Sequence, residues 1–203
     1  NPEFSFHHRK ELMEIRKAAE SAASLTKQLL AFSRKQILQK DRINLNDSIS
    51  HFRNMLRRIL GEDVTLVLKL EQNPWGIEAD GGQLEQVLMN LCVNARHAMP
   101  GGGNIEVITE NVLLESPSAD EPSGAFVRLQ VKDHGCGMSR ELLDHIFEPF
   151  YTTKGQDGTG LGLSVVLGII DQHGGWIHVE SEVGKGTSFF VYLPSDQKSW
   201  VVK

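Results

Sequence analysis

The sequence is short of several things, and each absence narrows what it can be. Its 203 residues hold only two cysteines, Cys92 and Cys136, which are not spaced as metal ligands. That excludes a disulfide scaffold and points to free thiols in a reducing compartment. Even the longest apolar runs, such as Leu163–Ile170, fall far short of the roughly 20 residues a spanning helix needs. No signal peptide is visible, so no membrane contact is expected within this fragment. Basic blocks are missing too: the formal net charge is -5, no Lys/Arg stripe stands out, and nucleic acid is excluded as the main partner. Between residues 10 and 40 there is no glycine and no proline.

What is present is an ordinary globular balance, 40% hydrophobic and 23% charged, enough for one substantial core plus an appendage. The appendage is the stretch to about residue 40, with residues 1–5 set aside as a cloning remnant. Ile15, Ala18, Ala22, Leu25, Leu29 and Phe32 recur in steps of three and four. This is a heptad seam of the kind that seeks a partner helix, though a helix folded back on its own domain would also show it. From residue 41 the pattern turns mixed. A capped helix is expected over 46–60, closed by Gly61, then an alternating strand from Val64 to Leu70. A second helix runs over 81–99. Strands follow near 104–114 and 125–132, separated by the polar loop 115–124. A short helix near 138–146, a helix near 160–173 and strands at 176–181 and 187–194 complete an α+β domain, helices on a mostly antiparallel sheet. The domain is expected to span 41–195, with 196–203 a tail.

Three pieces of this domain carry chemistry. The helix at 81–99 has a core stripe, Leu84, Val87, Leu88, Leu91, Ala95 and Ala98, bordered by a polar stripe of Gln86, Asn90, Asn94 and His97. Mid-helix asparagines on the margin of a buried face need hydrogen-bond partners or a ligand; a structural amide network is the other reading. A strand ends at Asp133, followed at once by Gly135 and Gly137. A carboxylate there suits the amino donor of adenine and would repel the carbonyl of guanine, but alone the motif also reads as an Asp-His-Gly turn. Finally, Lys154 and the glycines 158, 160 and 162 stand before a helix start, where orphan N–H groups and partial positive charge favour phosphate. The spacing matches neither the P-loop nor the dinucleotide fingerprint.

Read in order, "NLCVNARHAM", "DHGCGM", "FEPFYTTK", "GTGLGL" and "GKGTSF" resemble the N box, first glycine box, F box, second glycine box and last glycine box of sensor histidine kinases. These belong to the superfamily shared with type II topoisomerases, heat-shock chaperones and mismatch-repair ATPases. The likeness covers about 41 to 194. The upstream "AAESAASLTKQLLAFSRKQ" resembles the second helix of the dimerisation and phosphotransfer hairpin of these kinases, which would account for the heptad seam.

The resemblance implies a Bergerat-type α/β sandwich that binds ATP with Mg²⁺ and transfers the γ-phosphoryl group to a histidine. It implies Asn94 as the metal ligand, Asp133 on the adenine amino group, and Lys154 with the amides from Thr159 through Gly160 and Leu161 to Gly162 on the phosphates. Asn90 and Lys154 take the catalytic positions, while His97, Gly135, Gly137, Met138 and Thr187 complete the nucleotide site. Asn90 stands where the chaperone and topoisomerase branches place a water-activating Glu, and an amide cannot act as a base. The expected partners are the phosphoacceptor helix of the full-length protein, a response-regulator receiver domain, and a second copy in a homodimer. One element departs from the family: "FHHRKEL" at 6–12 lacks the acidic residue after the acceptor histidine, so His7 and His8 are not expected to accept phosphate. The alternatives are a degenerate nucleotide- or dinucleotide-binding regulatory module and a chaperone-like ATPase.

Overall fold

The computed structural model describes residues 39–114, 123–153 and 158–199. All of them lie in the second of the chain's two units, residues 38–203. The heptad seam, His7, His8, most of the 115–124 loop and Lys154 lie outside the described residues.

Helix α1, Leu45–Leu60, begins where the Asn44 side chain accepts the Asn46 N–H at 2.9 Å and ends at Gly61, whose φ of 81° breaks the helical path. Leu45, Ile49, Phe52, Leu56 and Leu60 fall on one face at spacings of three and four, and all are buried. Helix α2, Gly81–Ala98, is capped by Asp80, and helix α4, Gly162–Gln172, follows the second glycine stretch. Between them α3, Arg140–Leu143, is a single turn capped by Ser139.

Among the described residues, seven strands form one sheet: β1 Asp41–Ile43, β2 Val64–Lys69, β3 Trp75–Ala79, β4 Gly103–Leu114, β5 Gly124–Asp133, β6 Trp176–Glu182 and β7 Gly186–Ser199. Their order is β1-β3-β7-β5-β4-β2. One side of β7 is shared by two partners, β6 along Gly186–Tyr192 and β3 at Ser195 and Ser199. Every pair is antiparallel except β2 with β4, which run parallel. The α+β sandwich expected from the sequence is therefore the fold observed. The inward residues of β4, β5 and β7 (Ile105 and Val107; Val127, Leu129 and Val131; Phe189, Val191 and Leu193) meet the apolar stripes of α1, α2 and α4 in one core.

Several local expectations differ from the structure. Neither β1 nor β3 is legible in the sequence, because three and five residues are too few to show a period of two. The helix expected over 138–146 is one turn followed by hydrogen-bonded turns at His145 and Glu148. Helix α4 starts at Gly162 and not at 160, since Gly160 has a left-handed φ of 65°. β7 continues to Ser199, past the point where the sequence suggests a tail.

The C-terminal end of α4 is pinned to the start of α2 by a buried histidine. His173 Nδ1 lies 2.7 Å from the Ile169 carbonyl, which can only accept, and its Nε2 accepts the Asp80 N–H at 3.0 Å. Both contacts fit only the neutral ring protonated at Nδ1. Burial pushes its pKa below the ordinary 6.5, against the opposing hydrogen bond that Nδ1–H donates to the Ile169 carbonyl; Lys40 lowers it further and Asp80 raises it. The unfolded chain therefore takes up this proton first. The stability carried by the neutral ring is complete above about 6.5 and drains as pH falls through that value. Urea unfolding should accordingly show a loss of stability between about pH 7.5 and about pH 5.5. His173→Gln should flatten that loss while costing about 1–2 kcal/mol at the higher pH. An unchanged slope in the variant would assign it to another group.

Candidate functional site

The site is built on the seam between α2 and α4 and on the sheet ends beside it. Leu84, Val87, Leu88, Leu91 and Ala95 of α2 are buried in the core. Asn90 and Asn94 sit half-buried on the margin of that face, with Gln86 one turn before them. Asn90 Nδ2 donates to the Gly162 carbonyl at 3.2 Å, tying the middle of α2 to the first residue of α4. A Cβ placed on Gly162 would stand 3.9 Å from both Asn90 Cγ and Asn94 Nδ2. The start of α4 therefore lies directly against the two amides, at a distance a Cβ would also tolerate. His97, in the last turn, is exposed.

Asp133 ends β5 on the same inward-facing row as Val127, Leu129 and Val131, and is only 3% exposed. Its Oδ1 accepts the Gly135 N–H at 2.8 Å, and the Thr187 N–H also donates to the carboxylate. Burial pushes the carboxyl pKa above its usual range, and these two backbone donors, with His134, pull against it.

The glycines around Asp133 make room for other parts of the chain. Gly135 packs so closely on the end of α2 that a Cβ would come within 2.5 Å of the Ala98 carbonyl oxygen, and the Cys136 N–H donates to that oxygen at 3.0 Å. Gly137, with φ 64°, meets the β6–β7 hairpin: its Cβ would fall 2.0 Å from the Glu182 carbonyl oxygen. From the hairpin the Gly184 N–H returns a bond to the Cys136 carbonyl at 2.8 Å, and the Met138 N–H donates to Ser181 Oγ at 2.9 Å. Ser181 carried no signal in the sequence beyond lying in a strand. The cysteines take separate places. Cys92 is in the core, where burial pushes its thiol up to about 12, while Cys136 is exposed.

In the second glycine stretch, Gly160 and Phe150 are locked together. The Phe150 N–H donates to the Gly160 carbonyl at 3.0 Å, and a Cβ on Gly160 would stand 2.3 Å from the Phe150 carbonyl carbon. Thr159 is exposed and its Oγ1 accepts the Leu161 N–H at 3.4 Å. The Leu161 side chain is buried, so only its backbone can face a ligand. Among the described residues no side chain caps α4, leaving its first amides for another acceptor. The described residues thus bring Asn90, Asn94 and Gly162 together on one side, and Asp133, Gly135, Gly137, Met138 and Thr187 on the other. The end of α2 joins the two groups at Ala98.

Among the described residues no three or more His, Cys, Asp or Glu side chains converge as a metal site, and no helix is long and apolar enough to cross a membrane. A metal here would rest on an amide oxygen, phosphate oxygens and water, a set that suits Mg²⁺. Gly137→Ala should force the Glu182 backbone away and strain a left-handed residue, costing at least about 1–2 kcal/mol in urea unfolding. A variant as stable as the wild type would show that the hairpin does not press on this turn.

Known proteins agree with this geometry. Residues 79–197 match the family model described as histidine kinase-, DNA gyrase B-, and HSP90-like ATPase. The sensor kinase CckA of Brucella abortus is 46% identical over 91% of this chain, and the sensor histidine kinase ZraS of Salmonella typhimurium is 37% identical over 88%. The chain spans 20% of the first and 36% of the second. Among solved structures, the catalytic domain of histidine kinase ThkA is 30% identical with a TM-score of 0.59, covering 78% of this chain and 95% of that one. Full-length ShkA in complex with AMPPNP matches the fold at a TM-score of 0.75, with 24% identity, over 95% of this chain and 40% of that one. The chain belongs to the histidine kinase-, DNA gyrase B- and HSP90-like ATPase family, and carries within it an ATP-binding catalytic domain of the sensor histidine kinase type.

Proposed function

We propose that this chain binds ATP with Mg²⁺ and transfers the γ-phosphoryl group to a histidine on the phosphoacceptor helix of its own full-length protein. From there it would pass to a response-regulator receiver domain. The full-length protein would work as a cytoplasmic-facing homodimeric sensor kinase. The observation that carries the reading is the juxtaposition of a buried, hydrogen-bonded Asp133 with the Asn90–Asn94 margin beneath an uncapped helix start.

Each site residue takes the role the family resemblance gives it, and the positions of the described ones support those roles. Asp133, fixed by the Gly135 and Thr187 amides, accepts from the 6-amino group of adenine. Asn94 offers its side-chain oxygen to Mg²⁺, which when bound neutralises phosphate charge. Amides of Gly160, Leu161 and Gly162, with Thr159 and Lys154, hold the phosphates. Asn90 positions the start of α4 through Gly162 and cannot deprotonate water, so the phosphoryl group is kept for an external imidazole. Catalysis then rests on placement and charge neutralisation. An amide at this position argues against a chaperone-like hydrolase, and the intact Asp133 and glycine boxes argue against a degenerate binding module.

Two measurements test this. In calorimetry with Mg²⁺, ATP should bind and GTP should not bind comparably, and Asp133→Ala should cost about 1.5–3 kcal/mol of ATP affinity, the range for a hydrogen bond to a charged group. Equal ATP and GTP affinities would remove the adenine assignment. With labelled ATP, the chain alone should stay unlabelled, whereas an acceptor hairpin supplied in trans should gain acid-labile label. Asn94→Ala should abolish that transfer. Strong labelling of the chain alone, lost on mutating His7 and His8 together, would overturn the view that the acceptor lies elsewhere.

A further inference from the structure

Three side chains stand in a row across three strands beside the proposed purine position. Ser181 on β6 is paired with Thr187 on β7, and the β5–β7 register that pairs Lys132 with Ser188 sets Thr187 opposite Asp133. Thr187 and Asp133 are both buried. A hydroxyl has one proton to give and two lone pairs to receive with. Ser181 Oγ lies 2.9 Å from the Met138 N–H, which can only donate, and 3.1 Å from the Gly186 carbonyl, which can only accept. It is also 2.9 Å from Thr187 Oγ1. With its proton on Gly186 and one lone pair on Met138, Ser181 has only an acceptor left. All three contacts are satisfied at once when Thr187 donates its proton to Ser181, and Thr187 then turns lone pairs alone toward the space beside Asp133.

We propose that Ser181 is a specificity-positioning residue: by taking the Thr187 proton it makes Thr187 an obligate acceptor next to the Asp133 carboxylate. Two neighbouring acceptors favour a purine with an amino group at the 6-position and reject one with a carbonyl there. This inference rests on the ATP reading above and deepens it, since it locates part of the adenine preference in a residue that is not itself placed against the base. Without Ser181 the Thr187 hydroxyl could rotate and donate to a guanine carbonyl.

The test is ATP and GTP binding, by competition against a fluorescent ATP analogue, for the whole chain and for Ser181→Ala, Thr187→Val and the double variant, with urea unfolding run in parallel. Ser181→Ala should lower the ATP-over-GTP preference roughly fivefold to tenfold, the equivalent of one net hydrogen bond. Thr187→Val should lower it by a similar factor, and adding Ser181→Ala to Thr187→Val should change it no further. A merely structural serine would weaken both nucleotides alike. A preference within about twofold of the wild type in Ser181→Ala, or effects that multiply in the double variant, would overturn the inference. If Ser181→Ala does not fold, the same comparison is made with Ser181→Cys, whose weak thiol donor and acceptor frees the Thr187 proton without opening a cavity. An unchanged preference there overturns the inference equally. A wild-type chain that binds neither nucleotide would bring down the ATP reading and this inference with it; one that binds ATP but keeps its preference in the variants brings down the inference alone.

Discussion

A carboxylate buried beneath helices must be held by donors or give up its charge, and the hydrogen bonds that hold Asp133 come from two backbone amides. The Gly135 and Thr187 amides that bond it come from the turn after β5 and from β7, so the carboxylate is held only while β5, that turn and β7 keep their register. That register needs close approaches no other residue would permit. A Cβ on Gly186 would stand 2.1 Å from the Asp133 carbonyl oxygen, and Gly137 presses equally on Glu182. The two glycine boxes that flank Asp133 in space lie about fifty residues apart in the chain, yet each is a glycine for the sake of the other's backbone.

The helical side of the site depends on the same economy. Helix α2 packs its apolar stripe into the core and turns its amide margin toward α4, so the residues that fold the domain also aim Asn90 and Asn94. Its last carbonyls grip the turn after Asp133 through Ala98 and Cys136. Its first turn is tied to the end of α4 through Asp80 and His173. Displacing α2 would disturb the carboxylate and the amides together, which is why the site behaves as one object despite residues drawn from four elements.

Much of this was legible in the sequence because it is written in strong signals. The stripe over 81–99 gave a helix within a residue of the observed Gly81–Ala98, and the alternation around Asp133 gave the strand that carries it. The glycine-rich stretches were legible as site elements, but their reason was not. They read as backbone laid open for a ligand, whereas Gly135, Gly137 and Gly186 are first of all places where two backbones touch. Such contacts join segments distant in sequence and leave no local pattern. The same holds for Ser181, a polar residue in a strand like many others until the hairpin brings it to Thr187 and Met138. The short strands β1 and β3 were invisible because pairing with neighbours, not periodicity, makes them strands.

The identity of residue 90 decides how such a site can be used. Under the proposed ATP chemistry, a carboxylate one turn before Asn94 would be the group to take a proton from water, and bound ATP would be spent on hydrolysis. The amide in its place makes a bond no ionised carboxylate could make, donating its N–H to the Gly162 carbonyl. Substituting Glu would therefore do more than add a base: it would set an anion against a carbonyl oxygen and loosen the start of α4, whose amides are the ones proposed to hold the phosphates. In the proposed chemistry, withholding a base from water and anchoring the start of α4 are thus one choice of side chain. A hydrolytic relative would have to hold that helix by some other bond.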